Sequence, residues 1–182
     1  MALRIEPLTP VFGATVSGLD TSQPLSPEVQ AEISAAFEEY SVLVLHDQRL
    51  TDEQQIAFSE YLGPLEETLP GLVGSGSKLV RVSNMMADGS LKEPGGRLAL
   101  FGKANQFWHA DSTFRAAPSK GSILSARQIA LQGGDTEYAS TRAAYDSLSE
   151  AMKQRLDGLV AIHSIATSRK KIDPRAVSAE QE

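Results

Sequence analysis

Trp108-His109-Ala110-Asp111-Ser112-Thr113-Phe114 sets an imidazole and a carboxylate two residues apart. On an extended segment such residues point to the same side, because strand side chains alternate faces with a period of two. Both groups can then reach one metal ion. With a second histidine from elsewhere they form the set of two imidazoles and one carboxylate that leaves open positions on non-haem Fe(II). The tripeptide by itself does not decide the matter. Three histidines and 23 acidic residues among 182 produce a His-x-Asp/Glu by chance in roughly a third of such sequences. A strand in which His109 caps a sheet edge and Asp111 opens a turn uses the same residues.

The neighbouring motifs add to the reading. Trp108-His109-Ala110-Asp111-Ser112-Thr113-Phe114 resembles the W-H-x-D-x-x-F signature of the TauD/TfdA family of Fe(II)- and 2-oxoglutarate-dependent dioxygenases. Val42 to Gln48, Leu50 to Gln55 with Phe58, and Leu62-Gly63-Pro64-Leu65-Glu66 are similar to that family's N-terminal region. Ser122 to Ala126, Gly133-Gly134-Asp135-Thr136 and Ala143-Ala144-Tyr145 match it as well. The resemblance runs to about Ser168 and is closest to the TfdA-like branch that cleaves aryloxyalkanoate ethers.

The resemblance implies a set of roles. His109 and Asp111 would bind Fe(II), which 2-oxoglutarate chelates through its keto oxygen and one carboxylate. Thr136 would hydrogen-bond the distal carboxylate of that cosubstrate, and Asn105 would help hold cosubstrate or substrate. Each has a structural counterpart: Thr136 as a residue that stabilises its Gly-Gly turn, Asn105 as an ordinary loop amide. Protons compete with the metal for both ligands, so affinity is expected to fall in acid. The implied reaction hydroxylates a small acidic substrate at the expense of O2, with ether cleavage of an aryloxyalkanoate such as 2,4-dichlorophenoxyacetate as the leading case. A taurine or alkylsulfate dioxygenase is the enzyme alternative, and a catalytically inactive, truncated binding module is the alternative from another class.

The other residues of these types read differently. Trp108 and Phe114 are expected to pack in the core, the usual role of such aromatics. His46 closes an apolar run and is expected to donate a hydrogen bond there. His163 is the remaining candidate for a third ligand, but the family's distal histidine lies far beyond it, near an arginine that pairs with 2-oxoglutarate. His163 instead reads as a strand residue beside the active-site cover. That histidine and arginine are absent from the 182 residues, so the expectation is a single dioxygenase domain over 1–182 with its C-terminal part missing. The expected fold class is α+β, a double-stranded β-helix or jelly roll with flanking helices, incomplete at the C-terminus.

Several elements must position these groups. Leu3 to Leu19 reads as strands joined by tight turns around Pro7, Pro10, Gly13 and Gly18. Ser26-Pro27-Glu28 signals a helix start, with Val29, Ile33 and Phe37 on its buried face to about Tyr40. Ser41 to His46 has the length of a strand, and Thr51 with Gln54 predicts a capping box for a second helix. Leu79 to Val82, Ile123 to Ile129 and Leu159 to His163 read as further strands. Short helices are expected over Thr141 to Ser147 and from Ser149, with loops over Leu69 to Lys78 and Asp88 to Arg97. The loop from Glu67 to Val73 is expected to line the substrate pocket, and Lys170 to Glu182 reads as an exposed tail.

Composition narrows the class. A net charge of −6 argues against nucleic acid, whose phosphates demand a basic stripe. The absence of cysteine removes disulfides and thiolate metal sites. Neither a signal peptide nor a spanning segment is legible, so a cytoplasmic protein without a membrane partner is expected, forming the homo-oligomer common in the family.

Overall fold

A computed structural model describes residues 3–67, 77–86, 88–93, 96, 102–103 and 106–171. The chain divides into two compact units, residues 1–64 with 123–159 and residues 65–122 with 160–182.

The first unit is built on a three-stranded mixed sheet with the order β1-β2-β3. β1 (Arg4–Pro7) and β2 (Ala14–Ser17) pair antiparallel, with Ile5 opposite Val16. The turn between them closes where the Leu8 N–H donates to the Gly13 carbonyl at 2.8 Å. Gly13 holds a φ of 84°, which a side chain would strain. The chain then crosses over through α1 (Pro27–Tyr40) and returns as β3 (Leu43–Leu45), parallel to β2. A parallel neighbour requires such a crossover, since a tight turn can join only antiparallel strands.

Local sequence sets the ends of these helices. The Ser26 hydroxyl accepts the Val29 N–H ahead of Pro27, and Ser41 ends α1 in the left-handed region at φ 64°. Ile33 and Ala36 on the inner stripe of α1 are buried with Ala14, Val16, Leu50 and Phe58. α2 (Asp52–Glu60) opens with the expected capping box. Thr51 accepts the Gln54 N–H at 3.2 Å, and the Gln54 side chain accepts the Thr51 N–H at 2.8 Å. Gln55 is buried on α2, and its amide is satisfied on both sides. It donates to the Ile123 carbonyl at 3.3 Å and accepts from Arg127 at 2.9 Å. α3 (Thr141–Asp146) and α4 (Glu150–Leu156) are capped by Ser140 and Ser149. Arg142 donates to the Glu38 carbonyl at 3.1 Å, one of the carbonyls that the end of α1 leaves without a helical partner.

The second unit holds an antiparallel bridge between Met85 and Leu91 and the helix α5 (Ile165–Lys170). No helix among the described residues is long and apolar enough to cross a membrane.

Three expectations are corrected. Leu79 to Val82, Ile123 to Ile129 and Leu159 to His163 form no strand. Val80, Val82, Leu124, Ile129, Val160 and Ile162 in these runs are all exposed. An apolar, β-branched run becomes a strand only when a neighbour supplies its hydrogen bonds. Trp108 is not a core residue, being 70% exposed. α5 forms where no element was expected and includes Lys170, the first residue of the expected tail. Residues 172–182, residues 69–76 of the first expected loop and residues 94, 95 and 97 of the second lie outside the described residues.

Candidate metal centre

His109 and Asp111 lie in the second unit, on an irregular segment that turns at Asp111 rather than on a strand. Their side chains nevertheless converge, with His109 Nε2 3.4 Å from Asp111 Oδ1. Both are open to solvent, at 49% and 58% side-chain exposure, so an ion and further ligands have access.

Each side chain is held from its far side. His109 Nδ1 lies 2.7 Å from the Phe107 carbonyl oxygen. A carbonyl only accepts, so Nδ1 is the donor in this contact and Nε2 is the ring nitrogen that faces Asp111. This is the backbone contact that metal-ligating histidines use to fix tautomer and ring orientation. The Ser122 hydroxyl donates to Asp111 Oδ2 at 2.6 Å, which leaves Oδ1 as the oxygen facing the histidine. First-row metals bind such nitrogen and oxygen atoms at about 2.1 Å, so atoms 3.4 Å apart can serve as neighbouring ligands of one ion. The donor pair therefore fits a hard or borderline divalent metal. Among the described residues no third histidine or carboxylate joins them.

The turn that follows is tied to a distant carboxylate. Glu66 Oε2 accepts the Ser112 hydroxyl at 2.5 Å and also the Ser119 hydroxyl. Glu66 Oε1 lies 2.5 Å from Arg115 Nε in an ion pair whose angle is not that of a hydrogen bond. Burial pushes the Glu66 carboxyl up, but the two serine hydroxyls and Arg115 outweigh it and hold the group below its ordinary value.

The remaining candidates are distributed as follows. Thr136 belongs to the first unit and is exposed, two residues after the Gly133-Gly134 pair ends. Those glycines hold φ values of 70° and 82°, so the turn before Thr136 requires residues without a Cβ. Asn105 and residues 68–73 of the expected Glu67–Val73 pocket loop lie outside the described residues. His46 follows β3 and is exposed, and its carbonyl accepts from the Gln48 side chain at 2.9 Å. His163 is exposed and lines a cavity of about 460 Å³ with Phe107, Trp108, Ile162 and Lys171. Sequence reasoning missed the Phe107 carbonyl, Ser122 and the Glu66 cluster. Ser122 and Glu66 fall inside motifs that resemble the family, but a serine and a glutamate carry no spacing signal that would assign them a part.

The model of the taurine catabolism dioxygenase TauD, TfdA family matches residues 4–181. An (S)-phenoxypropionate/alpha-ketoglutarate-dioxygenase from Sphingobium herbicidovorans is 38% identical over 100% of this chain and 60% of its own length. An alpha-ketoglutarate-dependent 2,4-dichlorophenoxyacetate dioxygenase from Cupriavidus pinatubonensis is 37% identical over 93% of this chain and 61% of its own. The crystal structure of AAD-2 in complex with Mn(II) and N-oxalylglycine is similar at a TM-score of 0.88 and 40% identity, over 99% of this chain and 62% of that one. The chain thus spans about 60% of the length of the curated relatives it matches.

Proposed function

The chain belongs to the TauD, TfdA family of taurine catabolism dioxygenases, and from that membership we propose that it serves an Fe(II)- and 2-oxoglutarate-dependent dioxygenase acting on a small acidic aryloxyalkanoate. The observation that carries the proposal is the convergence of His109 Nε2 and Asp111 Oδ1 at 3.4 Å, each held from behind by a second contact. His109 and Asp111 hold the iron in this reading. Thr136 and Asn105 bind the cosubstrate, Thr136 by donating its hydroxyl proton to the distal carboxylate.

Bound iron and 2-oxoglutarate supply the oxidising chemistry, in which O2 oxidises the cosubstrate to succinate and CO2 and one oxygen atom enters a C–H bond of the substrate. The protein's part is to orient the ligands and to keep water from the reacting centre. Hydroxylation beside an ether oxygen yields a hemiacetal, which breaks to a phenol and an oxoacid. The choice of an aryloxyalkanoate rests on the two relatives named for phenoxypropionate and 2,4-dichlorophenoxyacetate.

The fold in this reading is a single jelly-roll domain. The exposed runs around Val80, Leu124 and Val160 are segments on which further strands of such a protein pair. A cytoplasmic homo-oligomer completes the proposal. The test is succinate release by the full-length protein with added Fe(II), 2-oxoglutarate and a panel of aryl ethers and sulfonates. Ether-dependent succinate that disappears in His109→Ala is the expected result, and substantial turnover by that variant would sink the ligand assignment.

A further inference from the structure

Ser112, the residue after Asp111, holds a φ of 57°. A residue other than glycine rarely keeps that left-handed conformation without support from outside its own turn. The support comes from a carboxylate 46 residues earlier, Glu66, whose Oε2 accepts the Ser112 hydroxyl at 2.5 Å. The same oxygen accepts the Ser119 hydroxyl. Oε1 pairs with Arg115 at 2.5 Å. Arg115 in turn donates through Nη2 to the Glu67 carbonyl at 2.8 Å and through its backbone N–H to the Ser112 carbonyl at 2.9 Å.

Residues 111–115 are therefore tied from two directions to the segment that carries Glu66. Glu66 and Arg115 are each 28% exposed at the side chain, whereas Asp111 is 58% exposed. The anchor is sheltered and the ligand is open. Acceptors on an ionised carboxylate draw both serine hydroxyls to one point, and such charge-assisted bonds are short and directional.

We infer that Glu66 is a positioning residue for the metal centre: through Ser112, Ser119 and Arg115 it holds the turn that aims Asp111 at the ion. The inference rests on the reading of His109 and Asp111 as metal ligands. It assigns Glu66 no contact with metal, cosubstrate or substrate. Contacts behind a ligand typically change metal affinity by about 10–100-fold when removed.

The test is Mn(II) binding to the full-length protein, followed by electron paramagnetic resonance, with His109→Ala as the control. Glu66→Ala is expected to weaken Mn(II) binding by about tenfold per folded molecule and to alter the zero-field splitting of the ion that remains bound. Glu66→Gln keeps one oxygen for the hydroxyls and should recover part of the affinity. A purely structural role would lower thermal stability yet leave affinity and splitting at their unaltered values, and that result overturns the inference. Should Glu66→Ala fail to fold, Glu66→Gln decides by the same two readouts. Unaltered binding in the Glu66 variants with loss in His109→Ala defeats the positioning role alone. Binding that ignores His109→Ala defeats the ligand assignment and the inference with it.

Discussion

Glu66 carries a charge in a place where burial opposes it, and it keeps that charge because two hydroxyls and a guanidinium answer it. Its folded value lies below the ordinary 4.5, so the unfolded chain takes up the proton more readily than the folded one. The stability this group contributes is complete above pH 4.5 and is lost as the pH falls through the lower folded value. The metal-free protein and its Glu66→Gln variant are thus expected to differ most in thermal midpoint near neutral pH and to converge in acid. A difference that stays constant across that range would show that Glu66 acts through shape rather than charge. The closeness of His109 and Asp111 was legible from their spacing, although they meet at a turn and not through the alternation of a strand. Ser122, Phe107 and Glu66 were not, since a hydroxyl, a carbonyl and a carboxylate acquire their parts only from what stands beside them.

Helix ends behave differently, because their signals are local. Ser26 ahead of Pro27 and Thr51 ahead of Gln54 both read as caps in the sequence and both cap in the structure. A cap satisfies N–H groups within three residues of itself, so no distant partner is needed. Thr51→Ala is expected to cost about 1 kcal/mol of stability, read as a lowered denaturant midpoint, and a change within error would mean that Arg127 already secures the start of α2 through Asp52 at 3.2 Å. The apolar runs at 79–82, 123–129 and 159–163 are the counterexample. Their composition suits strands, but a strand is completed by another segment, and none pairs with them among the described residues. The segment at 123–127 is tied down instead by Gln55 and Arg127 side chains, a solution that no periodicity would suggest.

At the scale of the whole molecule, the described residues expose many large apolar side chains. Leu131, Ile162, Val160, Ile129 and Trp108 are each at least 70% exposed. The buried apolar set is small by comparison and sits between the sheet, α1 and α2. Exposed strand-like apolar runs favour association with other chains. The 182-residue chain expressed by itself is expected to self-associate as its concentration rises, measured by sedimentation velocity and by binding of a hydrophobic dye. A monodisperse monomer that binds no dye would show that these residues find cover within the chain. The net charge of −6 opposes association only weakly at physiological salt, where screening acts over about 8 Å.

By itself the sequence determined the features whose partners lie a few residues away: the caps, the tight turn at Gly13, the helix that starts at Pro27 and the closeness of His109 to Asp111 across one intervening residue. It also carried the family resemblance, which a match over residues 4–181 bears out. Tertiary structure alone decided which apolar runs become strands and which carbonyl fixes the His109 tautomer. It alone brought Glu66 to Ser112 across 46 residues. The division follows from the range of the forces. Capping and turn energies are settled by neighbouring backbone, whereas strand pairing and charge-assisted contacts depend on groups that only folding brings within about 3 Å of each other.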